Sequence, residues 1–136
     1  MTRPDVLLFF LLLSSSAFAR EAKDVDGNQL LEYCNVSVQF LDSGGFKNDA
    51  QSSKSAWCMG YVAAFLELSE TALVMDETAG HKDMRRFYPC FPEETGITTG
   101  QAVRVIVKYL KDHPEHLHLP AAVLTLDALQ HAFPCS

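Results

Sequence analysis

Apolar residues recur through much of the chain at the three- and four-residue spacing of amphipathic helices. The first such segment spans residues 26–41 and is followed by a breaker cluster at 42–45. The apolar face of this segment carries Leu30, Cys34, Val38 and Leu41. The pattern therefore predicts a first helix that ends where the breaker cluster begins.

The second helical segment is the longest and spans residues 48–74. Asp49, or one of the serines that follow it, is expected to cap its start. Gly60 and Ala64 stand one turn apart, and small side chains at this spacing predict the close approach of another helix. The apolar side of the segment carries Cys58, Met59, Val62, Phe65, Leu66 and Leu73.

The third segment has the clearest start signal in the chain. Thr98 and Gln101 have the spacing of a capping box, in which each side chain satisfies the other residue's backbone N–H. Pro114 is expected to help end this helix, after a last turn that holds lysines near the negative end of the helix dipole. The apolar face carries Val103, Ile106, Val107 and Leu110.

A fourth helix is expected to begin at Pro120, since proline suits the first helical turn, and to end at Pro134. No segment alternates apolar and polar residues as a half-buried strand would. The pattern therefore predicts an all-α fold, a compact bundle of about four main helices. The predicted core stripe of the fourth helix consists of Ala122, Leu126, Leu129 and Phe133, with Val123 beside them.

Residues 75–97 interrupt the helical periodicity. The stretch is polar and aperiodic at first, and it then runs through Arg85 and Arg86 into a Pro-flanked Cys90. An irregular stretch of roughly 20 residues is uncommon in a compact domain and is often functional. We therefore predict that these residues form the main surface loop, with short helical turns in parts of it.

The N-terminus has the pattern of a secretory signal peptide. Arg3 precedes a short apolar run at 6–13, and three serines then lead into Ala17-Phe18-Ala19. The run is too short to span a bilayer, which takes roughly 20 residues. Asp5 departs from the pattern, and a buried N-terminal strand or helix is the alternative. We expect removal of residues 1–19, which leaves one soluble domain over residues 20–136 with no second membrane-length apolar run.

The chain is acidic, with a formal net charge of −6. Nucleic acid and anionic membranes are disfavoured as partners, because phosphate binding needs clusters of lysine and arginine. An acidic surface is compatible with a basic protein partner.

The chain has four cysteines, and export would place them where disulfides persist. Four buried free thiols are the alternative, and four cysteines allow three connectivities. An antiparallel hairpin of the first two helices would bring Cys34 to Cys58. Antiparallel third and fourth helices would bring Cys90 to Cys135. We predict these two disulfides, each of which would stabilise the fold by roughly 3–4 kcal/mol.

One short stretch suggests metal chemistry, since it holds His113, Glu115, His116 and His118. Pro114 blocks a regular helix through it, so we favour a polar connection whose histidines cap helix ends or face water. The chain has no nucleophile elbow and no phosphate-binding loop, and its cysteines are assigned to disulfides. We therefore predict no catalytic residue, no metal site and no cofactor, and we do not expect an enzyme.

The C-terminal third carries short motifs in a distinctive order. They are Cys90-Phe91-Pro92, Gly96-Ile97-Thr98-Thr99-Gly100-Gln101, Val107-Lys108-Tyr109-Leu110, His113-Pro114-Glu115, Leu117-His118 and Ala132-Phe133-Pro134-Cys135. Upstream, the chain has Leu30-Leu31 with Cys34, and Cys58-Met59-Gly60-Tyr61-Val62-Ala63. Over nearly the whole mature length it resembles the Rap/Tai family of periplasmic immunity proteins. Ala64 stands where many members have glycine, a departure that concerns only local packing.

The resemblance implies a small helical protein of the Gram-negative periplasm. It implies binding and inhibition of a peptidoglycan amidase effector of type VI secretion, by plugging or covering the amidase active site. It also implies homodimers in many members. The motif residues look structural, so they carry over the fold and not the toxin specificity. The competing classes are an orphan periplasmic structural or chaperone-like protein with no toxin partner, and a metal-dependent hydrolase.

The recognition element is expected in the polar loop at 76–86, which is long and lies close to Cys90. Arginine side chains suit bidentate or stacked contacts at the core of an interface. A solvated connection without a partner is the alternative. The predicted partner-binding residues are Asp76, Glu77, His81, Lys82, Asp83, Arg85 and Arg86.

Overall fold

The computed structural model describes residues 24–81, 87–92 and 96–135. The predicted signal peptide lies outside these residues. The described part is all-α and contains no strand, which confirms the predicted fold class. Its elements are α1 (Gly27–Ser43), α2 (Asp49–Thr78), α3 (Thr99–Asp112), a 3-10 turn (Pro114–His116) and α4 (Ala121–Ala132).

The start of α1 and its end are set by local side-chain and backbone chemistry. The Asp26 carboxylate accepts a hydrogen bond of 2.9 Å from the Gln29 N–H, which caps the first turn. Gly44 ends the helix in the left-handed region at φ 74°, where its N–H donates to Phe40 O. The predicted breaker at 42–45 therefore acts through its first glycine.

The cap of α2 differs from the predicted one. Asn48, and not Asp49 or a following serine, accepts from the Gln51 N–H at 3.0 Å. Asn48 has the extended backbone of a cap residue, whereas Asp49 already lies in the first helical turn. A carboxylate in that turn faces the positive end of the helix dipole, so Asp49 still favours the start.

The capping box of α3 is present as predicted. Thr98 Oγ1 accepts from the Gln101 N–H at 3.2 Å, and Gln101 Oε1 accepts from the Thr98 N–H at 2.9 Å. The helix ends at Asp112, two residues before Pro114. Its predicted apolar face is fully confirmed, because Val103, Ile106, Val107 and Leu110 are all buried.

The core lies between α1, α2 and the α3–α4 pair. Leu30 and Cys34 of α1 are buried as predicted, but Leu41 is 37% exposed near the helix end. On α2 the buried positions stop at Leu66, and the predicted Leu73 is only partly covered. The buried hydrophobic residues are Leu30, Cys34, Cys58, Val62, Leu66, Ala102, Val103, Ile106, Val107, Leu110, Ala121, Leu124, Ala128 and Leu129.

The prediction of which face of α4 is buried was wrong, because the helix is rotated about its axis relative to the predicted orientation. Of its members only Leu129 is buried, and Val123 is 46% exposed. Helix α4 is apolar around much of its circumference, so periodicity alone does not fix which side faces inward. Backbone contacts fix it instead, because the Ala121 N–H donates to Val25 O at 2.8 Å. The buried face consists of Ala121, Leu124, Thr125, Ala128 and Leu129.

Both predicted disulfides are confirmed. Cys34–Cys58 joins α1 to α2, and both of its residues are fully buried. Cys90–Cys135 joins segment 87–92 to the chain beyond α4. A hydrogen bond of 2.9 Å from the Cys90 N–H to Phe133 O accompanies the second disulfide. The segment that follows the predicted loop is thus fixed to the helical core.

The close helix approach predicted at Gly60 is absent. Gly60 is exposed, and a Cβ added there would meet nothing within 4 Å. The crowded glycine is Gly27 at the start of α1. A Cβ at that position would overlap Leu124 Cδ1 and would stand 2.9 Å from the Leu117 backbone. Gly27 therefore permits the contact of α1 with α4 and the turn that precedes it.

Candidate functional site

Helix α2 extends beyond the core and leaves its C-terminal part largely uncovered. The helix has 30 residues, and none of its residues after Leu66 is buried. We call residues 67–78 the exposed segment of α2. By length and composition α2 could also cross a membrane, which the sequence pattern did not predict. Its Cys58, Val62 and Leu66 are buried against the other helices, but most of its residues are not buried.

The exposed segment presents large apolar side chains. Leu68 is 69% exposed, Met75 is 66% exposed and Val74 is 61% exposed. Leu68 and Met75 stand seven residues apart and so share one face of the helix. These residues were not predicted from the sequence as a binding site, although the sequence shows that they lie off the apolar face assigned to the second helix. Large apolar side chains exposed on one face are typical of an interaction site, and Leu68 and Met75 meet that description.

The exposed segment is also acidic. It contains Glu67, Glu70, Asp76 and Glu77 and has neither lysine nor arginine. Its apolar side chains therefore lie among carboxylates, an arrangement that favours a partner with a basic rim around an apolar contact.

A shallow cavity lies beside this segment. It has a volume of about 360 Å³ and is open to solvent on one side. One wall belongs to α2 and the other to the chain around the second disulfide. The lining residues are Ser69, Glu70, Leu73, Glu77, Pro89, Cys90, Phe91, Pro92 and Gly96.

Asp76 connects the exposed segment to the second wall of the cavity. The Tyr88 hydroxyl donates to Asp76 Oδ2 at 2.8 Å, and this hydrogen bond raises the pKa of Tyr88. The His81 N–H donates to Asp76 O at 2.8 Å, and His81 Nδ1 lies 3.7 Å from Asp76 Oδ1. Asp76 thus contacts the chain at His81 and again at Tyr88.

The predicted loop begins later than the sequence indicated. Asp76 and Glu77 lie in the last turn of α2 and not in a loop, because the helix continues to Thr78. Gly80 ends it with a φ of 81°, and His81 follows. The predicted binding residues Lys82, Asp83, Arg85 and Arg86 lie outside the described residues.

A second cluster lies in the turn between α3 and α4. His113, Glu115 and His116 each bring one ligand atom to within 4.8 Å of the other two. His113 ends α3, and the 3-10 turn at Pro114–His116 follows it directly. The sequence pattern favoured a polar connection here over a metal site, and the turn gathers these three polar side chains within a small region.

The cysteines of the chain offer no nucleophile, because all of them are paired in disulfides. No buried side-chain oxygen or nitrogen among the described residues is without a hydrogen-bond partner.

Comparison with known families identifies one match. The family described as Rap1a immunity proteins matches residues 26–135, which include all four helices and both disulfides. No curated protein and no solved structure gives a significant match. The match covers most of the chain and agrees with the resemblance carried by the sequence motifs. The chain therefore belongs to the Rap1a immunity protein family.

Proposed function

We propose that this protein is a periplasmic immunity protein that binds and inhibits a peptidoglycan amidase effector of type VI secretion. Family membership supports an immunity function against a toxin effector, and hence a protein partner. The amidase as target follows from the Rap/Tai resemblance of the sequence motifs. Such a protein acts by binding and needs no catalytic group of its own.

The observation that carries the proposal is the apolar, acidic surface of the exposed segment of α2. A few large side chains at the centre of an interface usually supply most of its binding energy. Leu68 and Met75 are suited to that role, since they share one helix face and are largely exposed. The surrounding carboxylates of Glu67 and Glu70 would form a polar rim.

A helix that stands out from the core suits the inhibition of an enzyme with a concave active site. Enzyme clefts are concave and largely apolar, and a single helix can fill such a groove. The adjoining cavity between α2 and segment 87–92 would accept a side chain of the partner in return. Both walls of that cavity are braced by the Tyr88–Asp76 hydrogen bond and the Cys90–Cys135 disulfide.

Two features support an exported location. The N-terminal pattern is that of a signal peptide, and the mature chain holds two disulfides. Disulfides persist in the periplasm and are rare in the cytosol. Fusion of residues 1–30 to a periplasm-dependent reporter tests this location directly. A reporter that stays in the cytosol would contradict the proposal.

The test of function is capture of secreted peptidoglycan amidases from the producing organism by the oxidised, immobilised protein. We expect nanomolar binding by one amidase and loss of its activity at equimolar inhibitor. Peptidoglycan cleavage and binding are measured on the same preparation, so that inhibition without binding is recognised as an artefact. If no amidase binds, the alternative of an orphan periplasmic structural or chaperone-like protein replaces the proposal.

A further inference from the structure

The turn between α3 and α4 places two imidazoles and one carboxylate together. Glu115 Oε1 lies 3.3 Å from His113 Nδ1 and 3.9 Å from His116 Nε2. The carboxylate therefore stands between the two ring nitrogens. All three side chains are partly exposed, so an ion can reach them from solvent.

These separations fit the coordination shell of a small metal ion. Around a tetrahedral zinc ion with bonds of about 2.0–2.1 Å, neighbouring ligand atoms stand about 3.3–3.4 Å apart. The Glu115–His113 separation already has this value, and the Glu115–His116 separation needs to shorten by about 0.5 Å. The three ligand atoms lie within 4.8 Å of one another, so the two histidines must also come closer together. Rotation of the exposed Glu115 and His116 side chains would supply these changes.

The backbone that carries these ligands is fixed from several sides. The His116 N–H donates to His113 O at 3.1 Å, which closes the 3-10 turn. The N-terminus of α1 holds the residues that follow, because the Asn28 N–H donates to Leu117 O at 3.1 Å. Asn28 Nδ2 donates to the same oxygen, also at 3.1 Å. Ligands on a rigid turn lose little conformational entropy when they bind an ion.

The two imidazole rings lie beside each other at the turn. The Tyr109 ring packs on His113 with their centroids 4.4 Å apart. The His113 and His116 rings are nearly parallel, at an interplanar angle of 9° and a centroid distance of 5.6 Å. A metal ion lies in the plane of each imidazole that binds it, so the exposed His116 ring must turn out of this stacked arrangement to share an ion with His113.

We propose that His113, Glu115 and His116 form a binding site for a divalent transition-metal ion of the zinc class, with water in the remaining position. Two imidazole nitrogens and one carboxylate oxygen are donors that suit such ions. The hard ions Mg²⁺ and Ca²⁺ prefer oxygen ligands and should bind poorly. The site uses none of the residues assigned to partner binding, so it stands apart from the proposed immunity function.

The electrostatics of Glu115 agree with this site. The Glu115 carboxylate lies close to both imidazoles and offers a negative charge to a cation. The neighbouring Asp112 carboxylate is already paired with the Lys108 ammonium group.

The site also differs from what the sequence pattern favoured. Pro114 rules out a regular helix through the histidines, and this spoke against a metal site. The proline instead opens a 3-10 turn, in which residues three apart are nearly eclipsed. His113 and His116 therefore come onto one side of the chain.

The test is calorimetric titration of the tag-free, oxidised, chelator-treated protein with ZnSO₄, and with MgCl₂ as the control ion. We expect saturable binding of one zinc ion per chain in the micromolar range and no response to magnesium. His116→Gln and Glu115→Gln should each weaken zinc binding about tenfold or more. The matched control is His118→Gln, which changes an exposed histidine of the same stretch outside the cluster.

Thermal unfolding supplies a second readout. Zinc should raise the Tm of the wild-type protein and of His118→Gln by the same amount, and should raise the Tm of His116→Gln less at the same zinc concentration. Circular dichroism confirms that each variant is folded. Absence of saturable zinc binding would overturn the site, as would equal weakening by His118→Gln and His116→Gln. Because amidase binding is not measured here, neither result bears on the proposed immunity function.

Discussion

The hydroxyl groups of Ser37 and Ser55 lie 3.0 Å apart between α1 and α2, where both residues are buried. Ser37 Oγ also lies 3.3 Å from Ser55 O. Each serine is three residues from a cysteine of the Cys34–Cys58 disulfide, so the polar pair and the covalent bond fix the same crossing of the two helices. The pair satisfies two polar groups that would otherwise be costly to bury.

The first prediction concerns this serine pair. Ser37→Ala should lower the free energy of unfolding by about 1–2 kcal/mol, because the Ser55 hydroxyl loses its partner in the core. The double variant Ser37→Ala/Ser55→Ala should lose less than the sum of the two single variants. Denaturant unfolding of all four proteins measures the coupling, and strictly additive losses would contradict a paired arrangement.

The second prediction compares two glycines. Gly27→Ala should destabilise the fold by about 1–3 kcal/mol, because its Cβ would press against the Leu117 backbone and Leu124. Gly60→Ala should stabilise it by about 0.5–1 kcal/mol, since Gly60 lies within a helix with open space around it. Thermal and denaturant unfolding give both values. A stable Gly27→Ala protein would show that the contact between α1 and the α3–α4 turn is looser than described.

The third prediction concerns the exposed segment of α2. Leu68→Glu and Met75→Glu should each weaken amidase binding about 30-fold or more, as expected for the loss of a central contact. Val123→Glu is the matched control, because it adds the same charge at an exposed apolar position of α4. Surface plasmon resonance gives the affinities, and circular dichroism confirms folding. Equal binding by Leu68→Glu and Val123→Glu would move the interface away from α2.

The fourth prediction concerns the loop that follows α2. Replacement of residues 81–86 by a Gly/Ser linker of equal length should weaken amidase binding, because it removes the interface contacts expected of Arg85 and Arg86. The linker leaves α2 and its Asp76 intact, so it separates the loop from the exposed segment. Unchanged affinity, together with loss of binding in Leu68→Glu, would assign recognition to the helix alone.

The fifth prediction is that the stabilising contribution of the Tyr88–Asp76 hydrogen bond is lost at alkaline pH. The hydrogen bond to Asp76 raises the pKa of Tyr88 above its ordinary value of about 10. Above that value the unfolded chain loses the phenol proton before the folded chain does. The contribution of this pair to stability is therefore complete below pH about 10 and is lost as the pH rises through the raised pKa.

Absorbance titration of the tyrosines tests this shift. One of the four tyrosines should ionise later than the ordinary value because of Asp76. Asp76→Asn should move that transition to lower pH, and Tyr88→Phe should remove it from the titration curve. A curve that Asp76→Asn leaves unchanged would contradict the hydrogen bond.

Sequence reasoning worked best where a local rule has a single outcome. The capping box at Thr98 and Gln101 allows one helix start, and the four apolar residues that follow it are all buried. The two disulfides could be predicted from antiparallel packing of neighbouring helices. This packing brings Cys34 to Cys58, and it brings Cys90, which precedes α3, to Cys135, which follows α4. The family could also be recognised from these structural motifs.

The errors arose where tertiary contacts decide the outcome. Helix α4 is apolar on several sides, so its rotation is set by backbone bonds to residues around Val25, which are distant in sequence. The end of α2 looked like a loop because Asp76 and Glu77 are polar, yet polar residues continue a helix that faces solvent. The metal interpretation of residues 113–118 was considered and not favoured, because the sequence does not reveal that Pro114 begins a 3-10 turn.

The two disulfides join neighbours in chain order, so their covalent rings follow one another without overlap. A chain that is oxidised as it emerges from a translocation channel meets Cys58 as the first available partner of Cys34. Cys90 then stays reduced until Cys135 emerges, because Cys34 and Cys58 are already joined. If the protein is exported as proposed, oxidation in order of emergence gives the native bonding pattern, and we expect maturation to require an oxidant but no enzyme that reshuffles disulfides.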